Sequence, residues 1–164
     1  MWSRILRTTL ATLVSSSMAA AAGAQGTGEG EADMVSSQRQ AATIMLDFVE
    51  RTGLTSEAPP QRYLWTDAFA LQNLLGLYRE TGDPAYRDLA TDLIAQVHGV
   101  LGRHRPDDSR RGWLSGLPEE EGAEHPTTAG LRIGKPLSER GPGEPLDQAL
   151  HWDRDGQYFH YLTR

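Results

Sequence analysis

Two short segments of the chain set carboxylates beside tryptophans. In WTDAF (65–69) Asp67 lies between Trp65 and Phe69, and in HWDRDGQYF (151–159) Asp153 and Asp155 follow Trp152. An aromatic ring presents a flat apolar face to the C–H face of a sugar. A carboxylate beside it hydrogen-bonds hydroxyls or serves as acid or base on a glycosidic bond. Asp67, Asp153 and Asp155 are therefore the candidate catalytic residues. Trp65 and Trp152 are the candidate sugar platforms, with Tyr63, His104 and Tyr158 as further substrate-binding candidates. The same acids also suit an ordinary structural role, because a carboxylate in a first helical turn caps free amides and is favoured by the helix dipole by about 0.3–1 kcal/mol.

Other chemistry finds less support. His151, Asp153, Asp155 and Gly156 mimic the start of a calcium loop, but Leu162 stands where its bidentate Glu is required. GWLSG (112–116) lacks the spacing and the preceding strand of a serine nucleophile elbow, and GTGEG (26–30) lacks any βαβ context for a dinucleotide. The five histidines (98, 104, 125, 151, 160) show no metal-ligand spacing, so no metal or cofactor is implied. Glu119 to Glu121 read as a solvated acidic run. Arg103, Arg105, Arg110, Arg111 and Arg132 either clamp an anionic sugar or balance neighbouring acids.

Helices must position these residues. Ala41, Ile44, Met45, Phe48 and Val49 recur at helical spacing over 37–52, with Ser37 and Gln40 as a capping box and Gly53 as a stop. After a loop containing Pro59 and Pro60, a second helix is predicted from about Thr66 to Thr81, with Phe69, Leu74, Leu75, Leu77 and Tyr78 apolar. Asp83 as N-cap and Pro84 at the first helical position start a third, whose stripe runs through Tyr86, Leu89, Ala90, Leu93, Ile94, Val97 and Leu101. The short turn between them requires an antiparallel hairpin. Residues 103–151 hold seven Gly and six Pro among 49 positions, which predicts a long loop; LRIGK (131–135) is a short hairpin arm at most. A fourth helix is expected to open at WDRDGQYF. In alternating helices the second and fourth run parallel, so Asp67 and Asp153/Asp155 would share one mouth. The expected fold class is all-α, built from antiparallel helical hairpins.

The termini and the composition bound the rest. Arg4 and Arg7, a weakly apolar run, and AGA at 22–24 read as a secretory signal peptide over 1–24, which places the protein outside the cytoplasm, secreted or periplasmic; if Met34 is the true start, the protein is cytoplasmic. Residues 25–36 read as a flexible linker. The run is too short and too polar for a membrane span. Cleavage after residue 24 removes two Arg and no acid, taking the formal charge from -6 to -8. So acidic a chain has no basic face for nucleic acid. With no cysteine there is no disulfide or thiolate chemistry. Oligomeric state is not legible.

RYLWTDAFALQNLLGLYRETGDPAYRDLATDLIAQVHGVLGRHRPDD, RRGWLSGL and LHWDRDGQYFHYLTR together resemble the N-terminal part of the six-hairpin glycosidase-like proteins. The resemblance covers about 37–164 and implies an (α/α)6 toroid with its site at the starts of the inner helices, where Asp67, Asp153 and Asp155 fall. It further implies that 37–164 is a portion of a longer domain, poorly stable and inactive alone because four helices cannot close the ring. The function expected is that of a glycoside-hydrolase-like protein acting on a saccharide. Two alternatives stand beside it: a non-catalytic α-hairpin scaffold binding protein or glycan, and a sugar epimerase or isomerase using His104 or His160 as base.

Overall fold

The computed structural model describes residues 28–141, 143–144 and 154–158. The chain divides into two compact units, Met1–Met34 and Val35–Arg164. Of the first, only the opening residues of the first helix are described. The proposed signal peptide, and Trp152, Asp153, His151 and His160, lie outside the described residues.

The fold is all-α. Helix α1 spans Gly28–Arg51, α2 Leu64–Thr81, α3 Pro84–Leu101 and the short α4 Glu119–Glu124. The expected linker over 25–36 is corrected from Gly28 onward, since α1 begins nine residues before Ser37 and passes through it. Nothing between 28 and 36 can stop a helix. The segment has no proline, and Glu, Ala and Met are good helix formers that outweigh two glycines. Met45 and Val49 are the buried contacts of α1, and Gly53 ends it at φ 74°. A side chain at Gly53 would strike the carbonyls of Ala58 and Pro59, at 2.6 and 2.8 Å.

α2 and α3 form the expected antiparallel hairpin, and their facing residues Ala70, Leu74, Leu77, Ala90, Leu93, Val97 and Leu101 make the core. Gly82, in the left-handed region at φ 71°, closes α2. Asp83 then caps α3, its Oδ1 accepting from the Ala85 amide at 2.9 Å, with Pro84 at the first helical position. Replacing Asp83 by alanine leaves that amide without its partner and lowers stability by about 1 kcal/mol in urea unfolding. An unchanged midpoint would show that the cap contributes nothing. The predicted apolar face of α2 needs correction, because Phe69 and Leu75 are exposed. α2 is apolar on more than one side, so periodicity alone does not select the side that packs on α3.

The 103–144 segment is not a bare loop. It carries α4 and the strand β1 (Leu131–Arg132), which pairs antiparallel with β2 (Gln157–Tyr158) in the register Leu131 with Tyr158 and Arg132 with Gln157. Trp113 anchors it: the ring is buried against Gly122, its Nε1 donates to the Glu119 carbonyl at 3.3 Å, and the Arg103 guanidinium lies 3.9 Å from the ring centre. The helix expected to open at WDRDGQYF is overturned over 154–158. There the backbone turns and extends, with the Asp155 amide donating to the Ser138 carbonyl at 3.0 Å. Residues with high strand propensity met a partner strand 25 residues upstream, which no local pattern announces.

Candidate functional site

The segment 131–135 is where the two sequence-predicted acidic clusters meet the fold. On one side the Leu64 amide, the first of α2, donates to the Ile133 carbonyl at 2.9 Å, and Gly134 (φ 87°) presses on the Arg62 carbonyl. On the other, Asp155 accepts from the amides of Gly134 at 2.8 Å and Lys135 at 3.3 Å. The start of α2 and Asp155 are thus joined through five residues. Both carboxylates, however, are enclosed.

Asp67 has a side chain only 2% exposed. Its Oδ2 accepts from the Tyr63 amide at 2.9 Å, capping the helix, and its Oδ1 faces Arg62 Nη1 at 3.5 Å. Neither Oδ1 nor Nη1 has a hydrogen-bond partner among the described residues. The two meet as charges without a shared proton, an arrangement in which the cost of leaving water is only partly offset. The titrations reflect it: burial pushes the Asp67 carboxyl above the ordinary carboxylate range, against Arg62 and the Tyr63 amide, and burial lowers Arg62 against the pull of Asp67.

Asp155 is fully buried and forms a close ion pair with Arg132. Arg132 also donates through Nε to the Arg103 carbonyl at 2.6 Å and through Nη2 to the Val100 carbonyl at 2.7 Å. The pair therefore clamps the end of α3 to the β1–β2 ladder, where a cation also complements the helix C-terminus. Every polar contact of Asp155 among the described residues is structural.

A second polar cluster lies alongside. His104 Nδ1 is 3.0 Å from Glu139 Oε1, and the Arg105 amide donates to Glu139 Oε2 at 3.2 Å. Nδ1–H is assigned as the donor in this contact, so the ring is oriented by a carboxylate and Nε2 is its second nitrogen. The donor atoms of His104, Asp108 and Glu139 lie within 4.8 Å of one another, close enough for one cation. Arg110 already supplies that charge. Its Nε and Nη2 donate to Asp108 at 2.9 and 3.1 Å, its Nη2 is 3.7 Å from Glu139, and it holds Asp108 well below the ordinary carboxylate range. A metal there must displace a guanidinium from a two-point contact, so the donor set fits an arginine better than an ion.

Of the aromatic candidates, Tyr63 is 37% and Trp65 49% exposed, and Phe69, one turn beyond Trp65, is 64% exposed. Tyr158 has only its backbone described, in β2. Sequence reasoning missed Arg62, Glu139 and Phe69 as members of these groups. Arg62 precedes Asp67 by five residues in a loop, and Glu139 lies 35 residues from His104, so neither contact has a local signature. Comparison with protein-family models, curated proteins and solved structures finds no match.

Proposed function

We propose that this chain is a carbohydrate-active protein of the glycoside-hydrolase kind, whose α2/α3 hairpin belongs to an (α/α)6 toroid and whose described part contributes a saccharide platform at the start of α2. One observation carries the reading: Tyr63, Trp65 and Phe69, at the opening of one helix, are 37%, 49% and 64% exposed, while the core is satisfied by aliphatic residues of the side facing α3. Large aromatic faces held on a rigid element are what the C–H faces of sugar rings stack upon. Export through residues 1–24 belongs to the same proposal.

The acid–base part of the proposal shifts with the geometry. Asp67 and Asp155 are both committed to arginines and to backbone amides, so neither is presented to a substrate in this state. His104, backed by Glu139, has the form of an oriented base, which is what the epimerase or isomerase alternative requires. The capping role of Asp67 favours a second reading, a non-catalytic α-hairpin scaffold that binds glycan without cleaving it.

Calorimetric titration of the full chain against a panel of oligosaccharides tests the platform. Binding is expected to weaken by about tenfold or more in Trp65→Ala and Phe69→Ala, each removing a stacking face worth on the order of 1 kcal/mol or more. Absence of binding to every member of the panel, or unchanged affinity in both variants, would remove the reading. Product release from a bound sugar, lost in His104→Gln, separates the enzyme from the scaffold.

A further inference from the structure

Resting on that reading, we infer that Asp155 is a positioning residue for the proposed base: it holds the turn that sets Glu139 against His104. Residues 134–139 follow β1 and come back alongside Asp155, which fastens both ends of the turn. At the entry its Oδ1 accepts from the amides of Gly134 at 2.8 Å and Lys135 at 3.3 Å. At the exit its own amide donates to the Ser138 carbonyl at 3.0 Å, and its backbone forms a parallel bridge with Glu139. One residue thus closes the turn by side chain and backbone together.

What the turn fixes is one carboxylate. Glu139 is buried at its end, with Oε1 3.0 Å from His104 Nδ1 and Oε2 accepting from the Arg105 amide at 3.2 Å. Arg105 grips the same turn from the other side, its Nη1 donating to the carbonyls of Lys135, at 2.9 Å, and Leu137. A base acts only while its ring is held in line, and a displacement of about 1 Å can cost about a hundredfold in rate. The two oxygens of Asp155 divide its work: Oδ1 serves the turn, and Oδ2 pairs with Arg132. That division makes the two roles separable. In Arg132→Met/Asp155→Asn an amide oxygen still accepts from Gly134 and Lys135 and no charge is stranded, whereas in Arg132→Met/Asp155→Leu the turn has lost its acceptor.

Both double variants are made in the full chain and compared with wild type. One readout is the His104 Nδ1–H proton resonance, assigned by its loss in His104→Gln; the other is kcat and KM on cello-, xylo- and manno-oligosaccharides and oligogalacturonates. The Asn double variant is expected to keep the resonance and a kcat within about twofold of wild type. The Leu double variant should lose the resonance to exchange with water and fall about tenfold or more in kcat, with KM within about twofold. An unmoved resonance in a folded Leu double variant overturns the inference. Equal losses in the two folded double variants overturn it as well, because the ion pair and not the turn then holds Glu139. Should the Leu double variant fail to fold, hydrogen exchange in wild type decides: the Gly134 amide should stay protected as long as the His104 proton does, and a Gly134 amide that exchanges first overturns the inference. No turnover of any sugar by wild type sinks the enzyme reading, and the catalytic sense of the inference with it, even where the resonance responds as expected.

Discussion

Asp155→Ala is expected to destabilise the fold by about 3–5 kcal/mol in urea unfolding, because it strands a buried guanidinium whose counter-charge is gone. Arg132 cannot turn to solvent: its side chain is 6% exposed and its other nitrogens are held by the Arg103 and Val100 carbonyls. The substitution also leaves the Gly134 and Lys135 amides without their acceptor, a further penalty of the same kind. The double variant Arg132→Met/Asp155→Leu discriminates between a lost attraction and a stranded charge. It should recover the part of the loss due to the stranded guanidinium, while the unpaired Gly134 and Lys135 amides keep it below wild type. A single variant within about 0.5 kcal/mol of wild type would show that Asp155 is dispensable to the fold, and would return it to consideration as a free acid.

For Asp67→Asn, the second prediction, pH carries the diagnosis. Asparagine keeps an acceptor for the Tyr63 amide and, like the protonated acid, carries no charge opposite the fully buried Arg62, so variant and wild type are expected to be about equally stable at acid pH. The folded carboxyl titrates above its unfolded value because burial outweighs the attraction of Arg62. The native state then binds the proton more tightly than the unfolded chain. Its contribution to stability is fully present below the unfolded carboxylate value and is lost as pH rises through the folded one. Wild type should accordingly fall below Asp67→Asn in stability as pH rises across the carboxylate range, with the difference flat above it. A wild type that instead gains on the variant as pH rises is the behaviour of a carboxylate stabilised by its salt bridge. Finding it would mean that Arg62 and Asp67 share a proton-bridged contact in solution.

These two experiments also bear on function. An aspartate whose removal costs the fold several kcal/mol, and which no solvent reaches, is a structural residue in this state. The saccharide proposal then rests on the aromatic platform and on the His104–Glu139 pair. It does not need the acids that first drew attention to WTDAF and WDRDGQYF to touch a substrate.

Legibility in the sequence followed the range of the interaction. α3 was readable at its start, because Asp83 and Pro84 act within one turn of where they stand. The hairpin followed from a connection too short for any other path. α1 was placed too late, since a capping box at Ser37 is only a permission to start, and the helix-forming residues upstream take precedence. The WDRDGQYF segment was misread outright over 154–158. Its spacing allows a helix, but Arg132 and the amides of Gly134 and Lys135 draw Asp155 into a turn, and β1 pairs with the residues that follow.

What the sequence by itself determined was the all-α class, the α2/α3 hairpin, the caps that bound it, and the acidic, cysteine-free surface. Only the tertiary structure decided what each polar residue does. Asp67 and Asp155 are indistinguishable from candidate acids along the chain, and the arginines that enclose them differ in kind: Arg62 from the adjoining loop, Arg132 from 23 residues away. Likewise α2 carries apolar residues on several sides, and packing on α3 chose which to bury and left Phe69 and Leu75 exposed. Helix formation is encoded within a turn or two, whereas burial and ion pairing depend on which distant surfaces the folded chain brings together.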